Sequence, residues 1–332
     1  AGLNITTGNE APGSNQTLLI RGQNSLTASN DPLIILDGIP YSGGLADLDP
    51  NIIENMSVLK DASSVAIYGS RGSNGVILIQ TKRGAKGDLH VTYKTKLGIA
   101  EPMQRIQVMG PNEFIRFKQD MGRLKNNYSG EQLDPLVGQI ISASEKVNYA
   151  KGVTNDWQDY VFRSVFTMDH QLSISGGNDT ADYYLSGRFF EQDDIYNAGN
   201  GKFKQYNVRA KGSLKPFRWM RIENSTDFIR RTNRQPRVSA TFENRLLTIN
   251  RMLEHQGYPV TLVKNPDGTW TDTAVYIGWA GFVEGDTYQD NFKFDMKNTT
   301  VVTIDLIKDV LVAKADYSYL FNHSRQNDVI SQ

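Results

Sequence analysis

The sequence contains no cysteine, which removes disulfides, thiol nucleophiles and thiolate metal sites in one step. Histidine is scarce: His90, His170, His255 and His323 lie far apart, with no HExxH and no pair four residues apart, so no metal site is expected. Net charge is missing as well, since 36 basic side chains meet 36 acidic ones. No nucleic-acid partner follows from such a balance. No GxSxG supports a serine nucleophile, and Asp193 and Asp194 sit at the edge of a loop where solvated carboxylates are usual. No catalytic residue and no cofactor are expected. Finally, no run of about 18 apolar residues exists to form a membrane-spanning helix. That last absence leaves the membrane open, because barrel strands alternate lipid-facing and lumen-facing residues and average out in hydropathy.

Period-two alternation dominates from Asp88 onward. Tyr206, Val208, Ala210, Gly212 and Leu214 alternate with Gln205, Asn207, Arg209, Lys211 and Ser213. Tyr183, Leu185, Gly187 and Phe189 alternate with Tyr184, Ser186 and Arg188. Similar patterns mark Val91–Leu97, the region of Leu172 and Ile174, Met220–Phe228 and Leu311–Tyr319, with a poorer one at Thr299–Leu306. These predict about seven strands of roughly ten residues, enough to cross an outer membrane at a tilt. Short turns (Gly176–Thr180, Lys215–Arg218, Ile307–Asp309) alternate with long connections (Glu101–Thr167, Gln192–Lys202, Arg231–Asp295), as in bacterial outer-membrane barrels. Aromatic residues near strand ends, among them Phe189, Phe217, Trp219 and Phe321, suit interfacial girdles. A soluble β-sandwich also alternates, but it does not favour this short-long rhythm.

The stretch Pro32–Gly84 is organised differently. Strands are predicted at Leu33–Leu36, Met56–Leu59 and Val76–Ile79, with a fourth upstream at Thr17–Ile20. Asp37 and Gly38 make a turn after the first of these. Asp61 stands at an N-cap position before a short helix over Ala62–Tyr68, which Gly69 closes. The glycine-rich run Tyr68–Gly75 lacks the Gly-Lys-Ser/Thr ending of a phosphate loop and leads from a helix into a strand, so it reads as a tight turn. Asp31, Asp37 and Asp61 lack calcium-loop spacing and sit at element ends.

The segments NQTLLIRGQNSL, DPLIILDGIPY and IIENMSVLKDASSVAIYGSRGSNGVILIQTKRG resemble the plug signature of the SusC/RagA family of TonB-dependent outer-membrane transporters. WQDYVFRSVFTMDHQLSISGGNDTADYYLSGRFFEQDDIY and YNVRAKGSLKPFRWMRIENSTDF continue the resemblance downstream. It implies an α+β plug over 1–87 followed, over 88–332, by the first seven or so antiparallel transmembrane strands of a plugged barrel of about 22 strands. Seven strands cannot close around a plug, and open edges in lipid are costly, so the chain is expected to be part of a longer one. An opening at Ala1, without initiator Met or signal peptide, fits processing or truncation.

The resemblance further implies non-enzymatic, TonB-driven import of oligosaccharides across the cell outer membrane, through lid closure by a SusD-like surface lipoprotein and plug displacement. The family also contains oligopeptide importers and often builds dimers of transporter–lipoprotein pairs. Alternatives are a lid-less receptor for siderophores or cobalamin and a soluble carbohydrate-binding β-protein. The plug-signature residues are Asp37, Gly38, Lys60, Asp61, Tyr68, Gly69, Arg71, Gly72, Asn74 and Gly75. The plug charges Lys60, Asp61, Arg71, Lys82 and Arg83 are expected to pair with inward-facing Arg188, Arg209, Glu223, Asp227, Lys314 and Asp316. For sugar contact, Trp157, Tyr258, Trp270, Tyr276 and Trp279 in the long connections offer flat aromatic faces.

Overall fold

A computed structural model of the chain describes residues 3–7, 16–20, 30–41, 43–84, 87–102, 105, 107–129, 143–197, 200–236, 259–265, 267–271, 288–307 and 310–329. The N-terminal unit begins with a two-stranded antiparallel ribbon of β1 (Leu3–Thr7) and β2 (Gln16–Ile20). Four more strands, β3 (Leu33–Leu36), β4 (Ile39–Tyr41), β5 (Ile53–Leu59) and β6 (Val76–Thr81), form a sheet in the order β4-β3-β6-β5, with β3 and β6 parallel. The upstream strand predicted at Thr17–Ile20 exists and pairs with β1, while the fourth strand of the sheet is β4, which the sequence reading did not find. That short strand contains Pro40 and tolerates it because it lies at the sheet edge. Asp37 and Gly38 both adopt positive φ, 52° and 90°, the geometry a two-residue hairpin requires. Ile20, Ile34, Leu36, Leu48, Ile77 and Ile79 form the core of the unit.

The predicted helix over Ala62–Tyr68 is an α-helical turn, α1 (Ala62–Val65), continued by a 3₁₀ stretch, Ala66–Gly72. The chain breaks direction inside that stretch at Gly69, whose φ is 59°. Asp61 occupies the N-cap position without capping through its side chain. Its backbone carbonyl instead accepts from Ser64 and Val65 amides and from the Ser64 hydroxyl.

All seven downstream strands are present: β7 (Gly87–Ala100), β8 (Val165–Gly177), β9 (Ala181–Asp193), β10 (Lys202–Phe217), β11 (Met220–Pro236), β12 (Tyr288–Ile307) and β13 (Leu311–Val329). They form one antiparallel meander in chain order. At 13 to 20 residues they exceed the ten predicted. The excess lies mainly on the long-connection side, where polar stretches such as Gln289–Asn291 pair with Asn327 and its neighbours and lack apolar alternation. The long connection after β7 carries helices α2 (Pro111–Ser129), α3 (Ala143–Ala150) and α4 (Gln158–Val161), which strand periodicity could not register.

The faces of this wall are inverted relative to a soluble sheet. Gln171, Ser186, Gln205, Asn207, Arg209, Ser213 and Lys297 are buried on the inner face, against the N-terminal unit. Leu172, Leu185, Val208, Leu214, Phe228, Tyr317 and Phe321 are exposed on the outer face. No soluble sandwich leaves its apolar face outward over seven strands.

Candidate functional site: the interface between the N-terminal unit and the wall

Three aspartates of the N-terminal unit reach the cationic inner face. Asp37, at the hairpin after β3, accepts from the Thr81 amide at 2.9 Å and its hydroxyl at 2.6 Å. From the wall it receives Arg209 Nη2 at 2.8 Å and Lys211 Nζ at 2.9 Å. Arg209 also donates to Asp227 at 2.7 Å, so one guanidinium ties the unit to β11 through β10. Burial alone would raise the Asp37 carboxyl, but the Lys211 charge and the hydrogen bonds from Thr81 and Lys211 prevail and hold it below its ordinary value.

Asp47 lies in a 3₁₀ turn, Leu45–Asp47, and is buried. Arg231 pairs with it directly and Lys293 Nζ approaches to 3.5 Å. Its backbone carbonyl accepts from the amides of Gln205 and Asn207 at 3.3 and 3.4 Å. Nearby Tyr41 is kept protonated by burial and by the Asp47 charge, which push its hydroxyl upward. Asp49 caps the turn Pro50–Ile52 by accepting the Asn51 amide, and it meets Arg188 at 3.6 Å and Gln171 at 3.3 Å. Arg188 is itself held by two 2.8 Å bonds to Asp169. Together these contacts span β8 to β12.

Of the pairings expected from the sequence, Arg83 does meet Glu223, at 3.3 Å. Arg188 and Arg209 do engage the N-terminal unit, but their partners are Asp49 and Asp37. Asp227 serves Arg209 and not a charge of the unit. Lys60, Asp61 and Arg71 are exposed and form no ion pair with the described residues, as do Lys314 and Asp316 on the edge strand β13. Lys82 is half-buried and holds the Ile52 carbonyl through its backbone amide. The reason is geometric. The Lys60–Arg71 face points away from the seven strands, whereas the hairpin and the two 3₁₀ turns point into them.

Glycine and small-residue positions of the signature are spatially explained. Gly72 and Gly75 are buried, and a Cβ on Gly75 would stand 2.9 Å from Ile20 Cδ1, at a φ of +92°. Asn74 reaches the Asp31 carbonyl at 3.5 Å, while Tyr68 is half-buried. Sequence reading missed Asp47, Asp49, Lys211 and Arg231, although the motif Leu45–Pro50 (LADLDP) with two acids beside turn residues was there to notice. It also missed Gly84, where a Cβ would fall 2.5 Å from the Tyr183 backbone.

The aromatic candidates fare unevenly. Trp157 is buried, and its Nε1 donates to the Thr261 carbonyl at 2.9 Å. Its ring therefore holds two long connections together and offers no open face. Trp270 is half-buried with Lys264 Nζ 4.4 Å above its ring. Tyr258, Tyr276 and Trp279 lie outside the described residues. Around Trp157, Asn155 and Thr154 bind the Pro259 carbonyl, Asn148 binds that of Val260, and Arg163 binds those of Asp194 and Ile195. Three long connections are thereby joined on one side of the wall. Among the described residues no group of three or more His, Asp and Glu side chains is arranged to hold a metal ion.

Comparison with known proteins agrees with this geometry. The family model for the TonB-dependent Receptor Plug Domain matches residues 1–76. The TonB-dependent receptor SusC of Bacteroides thetaiotaomicron is 34% identical over 209 residues, covering 60% of this chain and 19% of that protein. The TonB-dependent receptor P3 of Formosa agariphila is 34% identical over 197 residues, covering 59% and 17%. The chain thus spans about a fifth of the length of the curated relatives it matches. The RagAB peptide importer in its open-open state superposes with a TM-score of 0.76 at 24% identity, over 98% of this chain and 38% of that one. A ferric enterobactin receptor from Pseudomonas aeruginosa reaches only 0.52, at 13% identity, over 97% and 37%.

Proposed function

We propose, from the premise that this chain is a portion of a SusC-like TonB-dependent receptor carrying its plug and part of its barrel wall, that the whole protein imports nutrient oligomers across the outer membrane. One observation carries the reading: a polar, cationic inner face grips an acidic plug while the apolar face is left outward. A lumen lined with polar groups passes hydrophilic cargo, and a plug held by ion pairs seals that lumen at rest. Such pairs specify position more than they add stability, so a pull from the periplasm by TonB can release the plug without unfolding the wall. No covalent step is needed.

Oligosaccharide is the favoured cargo, supported by the 34% identity to SusC and by the plug signature. A SusD-like lipoprotein is the favoured lid, docking over the joined long connections. A peptide cargo is the second reading, and the RagAB fold match supports it. Cells with and without the gene for the full-length parent should be given a fluorescent oligosaccharide mixture and, separately, an oligopeptide mixture. Uptake of the sugars that needs the gene and stops when the proton-motive force is collapsed is the expected result. Gene-dependent uptake of peptides alone would replace the first reading with the second. Gene-independent uptake of both would remove the transport reading.

A further inference from the structure

We propose that the outer face of the wall binds a phosphate group of a membrane lipid, between Arg230 on β11 and Arg325 on β13, on the long-connection side. The inference rests on the reading of the wall as membrane-spanning. Strand register fixes the outer-facing rows. Tyr206, Arg230, Phe294 and His323 form one row across β10 to β13, and Lys204, Thr232, Phe292 and Arg325 form the row beyond it. Below them the outer face carries Val208, Phe228, Met296 and Phe321, then a cluster of Asn224, Thr226, Asn298 and Thr300 that satisfy one another by hydrogen bonds, and beyond it Ile222, Val302, Leu306 and Leu311. From Phe294 to Leu306 the strand runs ~40 Å at ~3.3 Å per residue, or ~28 Å of depth at a ~45° tilt. That matches a hydrocarbon core, and it sets Arg230 and Arg325 at the level of lipid head groups.

Three acids lie on the outer face of this rim among the described residues of β9 to β12. Glu191 is held by Lys202 at 2.9 Å and Lys204 at 3.2 Å, and Asp193 by Lys202 at 3.1 Å. Asp290 is held by Arg234 through two 2.8 Å bonds. These three outer-face acids are therefore occupied. Arg230 and Arg325 have no ion pair among the described residues, and no acid of β9 to β12 faces them unpaired. Both gather at Phe292. The Arg230 guanidinium lies 5.5 Å from the ring centroid, His323 packs edge-on at 6.2 Å, and Arg325 stands directly opposite Phe292 in the register. Arg325 donates its Nε to Asn327 Oδ1 at 3.0 Å, and its two Nη groups have no partner among the described residues. Two arginines on the strands either side of an apolar ring, above the row Val208, Phe228, Met296 and Phe321, suit a phosphate oxygen set whose acyl chains run down the outer face.

The test is native mass spectrometry of the full-length protein in micelles doped with a phosphorylated glycolipid or with its dephosphorylated form. Wild type should retain one phosphorylated molecule and little of the other. An Arg230→Gln/Arg325→Gln variant should retain at least tenfold less, with its heat-modifiable electrophoretic mobility, the sign of a folded barrel, unchanged. Equal retention by variant and wild type, or equal retention of both lipids, overturns the site. Displacement by millimolar inorganic phosphate that also binds the protein without lipid would identify a free-anion site and overturn the lipid assignment. A protein that stays monomeric without detergent would refute the membrane-spanning premise itself, a result distinct from loss of this one site.

Discussion

Asp37 concentrates most of what single residues contribute here. Its carboxylate serves two cations and two donors of Thr81, so replacing it with Ala strands Arg209 and Lys211 at a half-dry interface. Removing one partner of such a buried pair costs about 3–5 kcal/mol. Asp37→Ala should therefore lower the thermal midpoint of plug release markedly, as followed by protease access to residues 30–84, whereas Asp61→Ala should change it little because Asp61 makes no side-chain cap. The pH dependence has a definite sign. Asp37 is held below its ordinary value in the folded state, so its contribution is complete above ~4, the unfolded value, and is lost as pH falls through the lower folded one. Protease protection of the plug should stay flat from neutrality to about pH 4 and decline below it, and in Asp37→Asn that decline should be smaller. These residue roles were only partly legible. Asp37 reads from sequence as a turn residue, which it is, but its partners lie 172 and 174 positions away. No local pattern encodes that distance.

At the scale of elements, strand alternation was enough to place all seven wall strands and to assign their faces correctly, because one residue slip would invert every side chain. Periodicity could not give their full length, since the polar ends beyond the apolar band pair by backbone alone. Nor could it find α2 and α3, whose residues lie in a connection with no strand signal. The N-terminal unit shows the converse. Its helix start was placed from Asp61, yet that side chain does not cap, and β4 escaped notice because three residues with a central proline carry no period. The joined connections give an element-scale expectation. Trp157→Ala removes a buried ring and the bond to Thr261, and core truncations of this kind cost about 3–5 kcal/mol. Proteolysis within 259–271 should accelerate in that variant while cleavage between β8 and β9 stays unchanged.

At the scale of the whole molecule, the inverted wall governs behaviour. In the proposed reading the apolar outer face meets a lipid or detergent shell and the polar inner face meets the plug. Leu185 on the outer face lies two rows inside the aromatic row of Phe189 and Tyr206. Leu185→Arg there should destabilise the folded barrel by about 2–4 kcal/mol, the cost of a cation near the bilayer centre, seen as loss of the heat-modifiable band at lower urea. The direct test is by cysteine substitution, any cysteine of the full-length protein outside this chain first being replaced by serine. Single cysteines introduced at successive positions 205–208 and 210–214 of β10 in the full-length protein, spin-labelled in lipid bilayers, report oxygen accessibility position by position. The account predicts a period of two, with maxima at 206, 208, 210, 212 and 214 and minima at 205, 207, 211 and 213. Maxima at the odd positions, or no alternation at all, would contradict it.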